Sequence, residues 1–383
     1  MGRNGRRRPG SGVRHLLRAP CGRFGIGGGE ARARPVALRR TGRRAALLYV
    51  GHQSTGGSIA GSSRSMRERM SDRTRREFLK DAAMAAGAMA LAPYATWAEE
   101  TEPVAAAEMC VARWGGEAVG EDGVDRMAAR LAERAVAEIG GMKRFVSRGD
   151  VVWIKPNIGW NRAPELAATT NPEIVAALVR LALEAGARKV KVGDNTCHDA
   201  RQSYRSSRIE EAAKTAGAEV VLLDESRFRD VHIGGSVLDS WALYPEILEA
   251  DLVINVPIAK HHGLSRATLA MKNLMGIAGG NRGAWHQDLS ACLTDVTAFL
   301  KPRLSILDGV RVLTGHGPQG GNPSDVKRLD TVAASTDIVA LDAFGAELLG
   351  HEPLQIGVVK AAAAAGLGRI DYRALPFREV AVS

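Results

Sequence analysis

The regular alternation of short apolar runs with helical patterns constrains this fold more than any other feature of the chain. Apolar runs of strand length occur at residues 104–112, 151–154, 190–193, 220–223, 252–256, 304–307 and 331–335. Between them apolar residues recur every three or four positions, as from 124 to 139, which is the spacing of an amphipathic helix. Apolar strands alternating with helices are typical of a mostly parallel sheet flanked by helices. We therefore expect an α/β fold with Rossmann-like layers, built as one domain or as two intimately packed lobes.

Polar residues follow several of the apolar runs and are the first candidates for a functional site. In a parallel sheet, ligands bind at the edge where the strands end. Five candidates lie at or shortly after predicted strand ends: Lys155, Asn157, Asp194, Lys260 and Asp308. Thr170 precedes a predicted helix start, and Lys272 and Asn273 lie in residues 264–275, which we expect to be helical. We expect these side chains to meet at one edge of the sheet.

Three of these candidates are lysines: Lys155, Lys260 and Lys272. Three converging ammonium groups would bind a carboxylate or a phosphate. The alternative is that each lysine pairs with an aspartate at the sheet edge. Lys260 and Lys272 lie among apolar and small residues, where an unpaired charge is costly, and this favours the anion site. We expect a small anionic ligand, with Asn157, Thr170 and Asn273 completing the substrate-binding set of Lys155 and Lys272.

His262 and His286 are the candidates for acid–base chemistry, together with Lys260, because imidazole titrates near neutral pH. A second hypothesis gives these histidines to a metal. Asp194 and Asp308, with His262 or His286, would then hold a divalent cation, although no ligand spacing enforces such a site. Hydrogen-bonded structural histidines are the commonest alternative to both.

Several motifs of this chain resemble the signature of the domain of unknown function 362 family. The matching segments are Ile154-Lys155-Pro156-Asn157, Thr169-Thr170-Asn171-Pro172-Glu173, Val192-Gly193-Asp194, Lys260-His261-His262-Gly263, Lys272-Asn273-Leu274-Met275-Gly276, Trp285-His286, Leu307-Asp308-Gly309 and Leu341-Asp342. They occur in the expected order from about residue 104 to the C-terminus. The resemblance implies a fold more than a reaction. Some members of the family carry ferredoxin-type cysteine clusters.

The cysteines of this chain do not have that arrangement. Residues 99–383 contain Cys110, Cys197 and Cys292 and no Cys-x-x-Cys pair. This spacing argues against an iron–sulfur cluster, so an electron-transfer role is not carried over from the family.

The leading functional hypothesis is an enzyme that acts on a small carboxylated or phosphorylated molecule by Lys/His acid–base chemistry, with or without a metal. The predicted reaction is proton abstraction next to a carboxylate, as in a racemase or lyase. At the level of fold, the arrangement is similar to that of the nickel-pincer lactate racemases, which are α/β proteins with Lys and His at strand ends. The alternative is a non-catalytic periplasmic protein that binds an anion or a metal.

The segment before the α/β pattern resembles a twin-arginine (Tat) signal peptide. Arg75-Arg76-Glu77-Phe78-Leu79-Lys80 is followed by an Ala/Met/Gly run over residues 81–91. We therefore expect an Arg/Gly-rich disordered leader at 1–65, the signal at 66–98 and the α/β domain at 99–383. Translation starting at Met66 or Met70 instead of Met1 would make the leader a mis-assigned start. The Tat machinery is then a partner, and the protein is periplasmic or otherwise exported.

The charge of the chain is concentrated in that leader. The formal net charge is +10, yet residues 1–65 contain 14 Arg and one acidic residue, while residues 99–383 contain 32 Lys/Arg and 37 Asp/Glu. The predicted mature domain is mildly acidic, so we expect no nucleic-acid partner. Residues 81–92 are too few and too weakly apolar for a membrane span, and we expect no stable span in the mature form.

Overall fold

The architecture is that of a computed structural model, which describes residues 106–383. The predicted leader and signal peptide lie outside the described residues. Within residues 106–383, no helix is long and apolar enough to cross a membrane.

Twelve strands are formed by the described residues. They are β1 Met109–Trp114, β2 Val151–Pro156, β3 Lys189–Val192, β4 Glu219–Val220, β5 Arg229–His232, β6 Ser240–Leu243, β7 Leu252–Val256, β8 Ile258–His262, β9 Arg266–Thr268, β10 Leu304–Leu313, β11 Val326–Ser335 and β12 Phe377–Val382. Their α-helices are α1 Val124–Glu138, α2 Pro172–Glu184, α3 Ala200–Ser206, α4 Ile209–Thr215, α5 Pro245–Leu248, α6 Ala270–Asn273, α7 Leu289–Leu300, α8 Ile338–Leu348 and α9 Gly357–Ala364. Short 3-10 segments, including Leu274–Ile277 and Arg282–Gln287, join them.

Ten of the strands form one sheet, whose main path runs β12-β1-β11-β10-β7-β2-β3-β4. All neighbours along it are parallel except β11, which is antiparallel to both β1 and β10. β7 pairs with the start of β10. Pro257 separates β7 from β8, and β8 pairs with the rest of β10. β8 then turns back as a hairpin with β9. β5 and β6 form a separate two-stranded sheet.

The core lies on both faces of this sheet, which explains why its central strands are apolar throughout. All ten residues of β10 are buried. Ile306 of β10 packs in a cluster with residues of α1 and α2, whereas its neighbour Leu307 packs with residues of α7 and α8. Alternate residues thus point to opposite helical layers, as a parallel sheet covered on both sides requires. The expected α/β fold with a mostly parallel sheet is confirmed.

The structure differs from the predicted elements mainly in residues 264–275. This segment forms β9, the one-turn helix α6 and a 3-10 turn instead of one helix. The helix cannot extend backwards because β9 is paired with β8, so tertiary pairing overrides the local helical pattern. Strand β11 also extends five residues before the predicted start at residue 331, since its first half pairs with the end of β10.

Candidate functional site

A cavity of about 640 Å³ opens where β2, β3 and β8 end. Seven of the residues predicted from the sequence line it, namely Asn157, Asp194, Lys260, His262, Lys272, Asn273 and His286. Three do not line it: Lys155, Thr170 and Asp308. The edge of the sheet thus brings together most of the predicted set, from segments far apart in the chain.

Lys155 and Asp194 form a buried ion pair beside the cavity. Their Nζ and Oδ1 atoms lie 2.7 Å apart, and the other carboxylate oxygen of Asp194 accepts the Ile158 amide at 2.7 Å. Burial lowers the pKa of Lys155, while the Asp194 carboxylate acts in the opposite direction. The pair is neutral overall, so Lys155 supplies no net charge to the cavity.

Asn157 and Asn273 form a polar bridge between β2 and α6. Asn157 Nδ2 donates to Asn273 Oδ1 at 3.0 Å, and Asn157 Oδ1 accepts from Lys260 Nζ at 3.0 Å. Thr170 accepts the Asn157 amide at 2.8 Å and donates to the Val256 carbonyl at 2.7 Å. Thr170 therefore positions Asn157 through the backbone and does not face the cavity itself.

Lys260 is fully buried, and its hydrogen-bond partners are uncharged. Besides Asn157, its ammonium group donates to the Ala168 carbonyl at 2.5 Å. Burial lowers the pKa of Lys260 to about 7; the Asp194 carboxylate acts in the opposite direction, and the nearby Lys272 and Lys155 reinforce the lowering. An amine with that pKa is partly neutral near pH 7 and has a lone pair available for a proton.

Lys272 and His286 form a second contact pair on the cavity wall. Lys272 Nζ lies 3.2 Å from His286 Nε2, and His286 Nδ1 lies 3.1 Å from the Gly283 carbonyl. A proton on Nδ1 satisfies both contacts, because Nε2 then accepts from the ammonium. Burial lowers the pKa of Lys272 to about 8, and burial together with Lys272 lowers the pKa of His286. His286 is therefore arranged as a neutral acceptor.

His262 faces His286 across a ring stack, with centroids 5.6 Å apart and planes inclined by 21°. Its Nδ1 accepts the backbone amides of Leu264 at 3.1 Å and Ser265 at 3.3 Å. The proton is thereby placed on Nε2, so the ring of this cavity-lining residue is a hydrogen-bond donor. Burial, reinforced by Lys272, lowers the pKa of His262 to about 3 and keeps the ring neutral. His261 instead accepts the Gly317 amide at 3.1 Å and does not line the cavity.

Two buried aspartates hold the frame of the site. Asp342 accepts the amides of Ala270 at 2.6 Å and Met271 at 3.0 Å and so fixes the first turn of α6, which carries Lys272. Asp308 accepts the amides of Asn171 at 2.8 Å and Val310 at 3.0 Å. Burial raises the pKa of Asp308 to about 6 and that of Asp342 to about 7. Both carboxylates are committed to backbone amides, at the start of α6 for Asp342 and at the start of α2 and within β10 for Asp308.

The donor set does not fit the predicted divalent metal. Each Asp194 oxygen already has a partner, and Asp308 does not line the cavity. Within residues 106–383, no group of three or more His, Cys, Asp or Glu side chains is placed to hold a metal ion. No chemical step is therefore assigned to a metal. The metal site stays a prediction of the sequence.

Sequence reasoning missed Arg282, which also lines the cavity. Its guanidinium donates to the carbonyls of Asn195 at 2.8 Å, Thr196 at 3.0 Å and Met275 at 3.0 Å. These carbonyls orient the guanidinium but do not neutralise it. Its position four residues before His286, in a glycine-rich segment, was the available signal. Cys197 is an exposed free thiol 3.8 Å from Arg282 Nη2.

Fold and site together define the class of this protein: an α/β protein with a cationic cavity at the carboxyl edge of a mostly parallel sheet. The chain belongs to the family described as domain of unknown function (DUF362), whose model matches residues 152–347. That range contains every predicted site residue, and the family resemblance of the sequence motifs is confirmed.

Two further similarities concern individual proteins. The chain is 31% identical over 237 residues to Thylakoid-associated protein sll1697 of Synechocystis sp. (strain ATCC 27184 / PCC 6803 / Kazusa), across 60% of this chain and 72% of that protein. The lactate racemase apoprotein of Thermoanaerobacterium thermosaccharolyticum is 13% identical, with a TM-score of 0.41. That match covers 62% of this chain and spans 56% of the racemase chain, and no function follows from it.

Proposed function

We propose that the cavity binds a small carboxylated or phosphorylated molecule and transfers a proton to or from it. The observation that carries this proposal is an imbalance of charge. Lys260, Lys272 and Arg282 line the cavity, and within residues 106–383 none of them forms an ion pair with a carboxylate. Lys260 and Lys272 are buried, and buried cations without counterions are costly unless an anion arrives.

The leading reaction is proton abstraction at the carbon next to a carboxylate, as in a racemase or lyase. Lys272, held by His286, and Arg282 bind the carboxylate. Lys260 in its amine form takes the proton, and the electron pair of the C–H bond moves onto the carboxylate as an enediolate. The Nε2–H of His262 donates to the developing charge as a neutral electrophile. Return of the proton from Lys260 regenerates the amine.

Exchange of the α-hydrogen for deuterium tests this reaction. Glycolate, L-malate and L-alanine are incubated with the protein in D2O, and loss of the α-proton signal is followed by NMR. Because general acid–base groups contribute about 10²–10⁴-fold, Lys260→Gln should slow exchange by at least about 100-fold. Lys360→Gln is the matched control, since Lys360 is exposed on α9.

The same samples separate catalysis from binding. Acetate and phosphate are titrated into the unmodified protein by calorimetry. Binding of acetate or phosphate without exchange of any of the three acids would favour the non-catalytic binding protein. Absence of both binding and exchange would overturn the proposed function.

We also propose export through the Tat pathway, on the strength of Arg75-Arg76 and the Ala/Met/Gly run that follows. Replacing Arg75-Arg76 by Lys-Lys should retain the precursor in the cytoplasm of a bacterial host. N-terminal sequencing of the periplasmic form should give a start near Glu99. Equal export of the Lys-Lys variant would contradict this route.

A further inference from the structure

The less buried wall of the cavity carries four apolar side chains beside the polar Asn195, Cys197, Arg282 and His286, in contrast to the two buried lysines deeper inside. Trp160, Leu264, Met275 and Pro318 line the cavity, and none of them is buried. We call these four side chains the apolar mouth. The lysines are deeper, with Lys260 1% and Lys272 8% exposed, whereas Leu264 is 79% exposed. A ligand that reaches the cations therefore passes, or stays beside, an apolar rim.

The apolar mouth is held in place by hydrogen bonds. Leu264 lies at the tip of the β8–β9 hairpin, next to the glycine-rich segment that carries Pro318. Gly263 donates its amide to the Gly317 carbonyl at 3.2 Å, and Gly317 donates its own amide to His261 Nδ1 at 3.1 Å. A Cβ on Gly317 would lie 1.9 Å from the His261 carbonyl oxygen, so this close approach requires glycine. Trp160 is fixed on the other side by an edge contact with His198, with centroids 4.9 Å apart.

The volume and the walls both leave room for a ligand larger than a three- or four-carbon acid. A cavity of about 640 Å³ lies in the range of sites that enclose drug-sized molecules. Apolar side chains clustered at such an opening mark a binding surface. An indole and a thioether are side chains that pack favourably against aromatic rings. The buried lysines would then bind the anionic end of a ligand, and the apolar mouth would contact its apolar end.

We propose that the ligand is an aromatic carboxylate or an aromatic phosphate ester, with its anionic group on the buried cations and its ring in the apolar mouth. This inference rests on the proposed function, because it uses the same cations. It adds the chemical class of the substrate: an acid whose carboxylate or phosphate lies within a few bonds of an aromatic ring.

Paired probes test the ring separately from the anion. Acetate is compared with phenylacetate, and inorganic phosphate with phenyl phosphate, by calorimetry at one pH and one ionic strength. Burial of a phenyl group should tighten binding by at least about tenfold within each pair. Hexanoate, which has an apolar chain but no ring, should bind more weakly than phenylacetate.

Exposed leucines supply a matched pair of variants. Leu264→Ser should remove most of the phenyl gain without affecting acetate, and Trp160→Ala should do the same. Leu354→Ser is the control, because Leu354 is 61% exposed and does not line the cavity. Since both leucines are exposed, neither serine variant should impair folding.

The outcomes distinguish this inference from the proposed function. Equal affinity for acetate and phenylacetate would overturn the aromatic ligand and leave the anion site standing. Hexanoate binding as tightly as phenylacetate would overturn the aromatic assignment. If none of the probes binds, the proposed function fails and the aromatic ligand fails with it.

Discussion

The buried lysines at this edge of the sheet form two sets that differ in their partners. Lys155 is the neutral set, and Lys260 with Lys272 is the unpaired, second set. Lys155 is paired with Asp194 at 2.7 Å and does not line the cavity. Lys260 and Lys272 line it, and their contacts are amide, carbonyl, thioether and imidazole groups. Residue type and burial are similar in the two sets, so neither property distinguishes a structural lysine from a lysine of the proposed anion site. The location of the counter-charge does, because Lys155 has a carboxylate of its own, whereas no carboxylate of residues 106–383 forms an ion pair with Lys260 or Lys272.

The largest expected effect comes from breaking the neutral set. Lys155→Met leaves the Asp194 carboxylate buried without its ammonium, which should lower the free energy of unfolding by about 3–5 kcal/mol. Urea denaturation measures the loss. The double variant Lys155→Met/Asp194→Asn removes both charges and should recover most of the stability. Equal losses in the single and double variants would contradict the ion-pair account.

The second prediction applies the same substitution to the unpaired set. Lys272→Met should change the free energy of unfolding by less than about 1 kcal/mol, since a desolvated charge is removed along with its bonds. The affinity for phosphate should fall by about 1.5–3 kcal/mol, the magnitude of a hydrogen bond to a charged group. Calorimetric titration with inorganic phosphate, with Lys360→Met as control, measures this. Unchanged phosphate affinity would show that Lys272 is not part of the anion site.

Gly276 packs against the Lys155–Asp194 ion pair and gives the third prediction. A Cβ there would lie 1.7 Å from Asp194 Oδ1 and 2.6 Å from Lys155 Nζ. Gly276→Ala should therefore displace the ion pair and destabilise the protein by about 1–3 kcal/mol, as overpacking of a core does. Gly283→Ala is the control, because the nearest atom to its Cβ is 3.4 Å away, on a side chain. Equal unfolding free energies for the two variants would contradict this packing.

The sequence predicted the edge of the sheet on which the site lies, but not which lysines are paired. Strand ends could be located because apolar runs and helix starts are local signals, and Asn157, Lys260 and Asn273 do meet there. The pairing of Lys155 with Asp194 depends on β2 and β3 being neighbours, which the sequence does not specify. The β8–β9 hairpin was missed because the sequence likewise does not specify that these two segments pair as strands.

The tautomers of the two histidines could not be predicted from the sequence either. His262 is a neutral donor because its Nδ1 accepts two amides of the following turn, and those amides point inward only once β8 has turned back. His286 acquires its acceptor role from Lys272. The residue types alone predicted two titratable side chains, whereas the donor role of one and the acceptor role of the other depend on the folded geometry.

The last prediction is a pH dependence that separates the two sets. The pKa of Lys260 is lowered to about 7 and that of Lys272 to about 8, below the value of about 10.4 expected in the unfolded chain. Between about pH 7 and 10 the unfolded chain therefore binds more protons than the folded one, so stability should rise with pH. The slope is at most about 1.4 kcal/mol per pH unit for each lysine.

Urea denaturation at pH 7, 8 and 9 measures that slope, with Lys260→Met as the diagnostic variant. Removing Lys260 should reduce the slope by the share of one lysine, whereas Lys360→Met should leave it unchanged. Saturating phosphate should reduce the slope as well, because an anion bound to Lys272 raises the pKa of that lysine and restores its proton. Phosphate affinity should accordingly weaken above pH 8, with proton uptake on binding that calorimetry detects in buffers of different ionisation enthalpy. A slope that neither Lys260→Met nor phosphate alters would mean that the second set, like Lys155, already has its counter-charge within the fold.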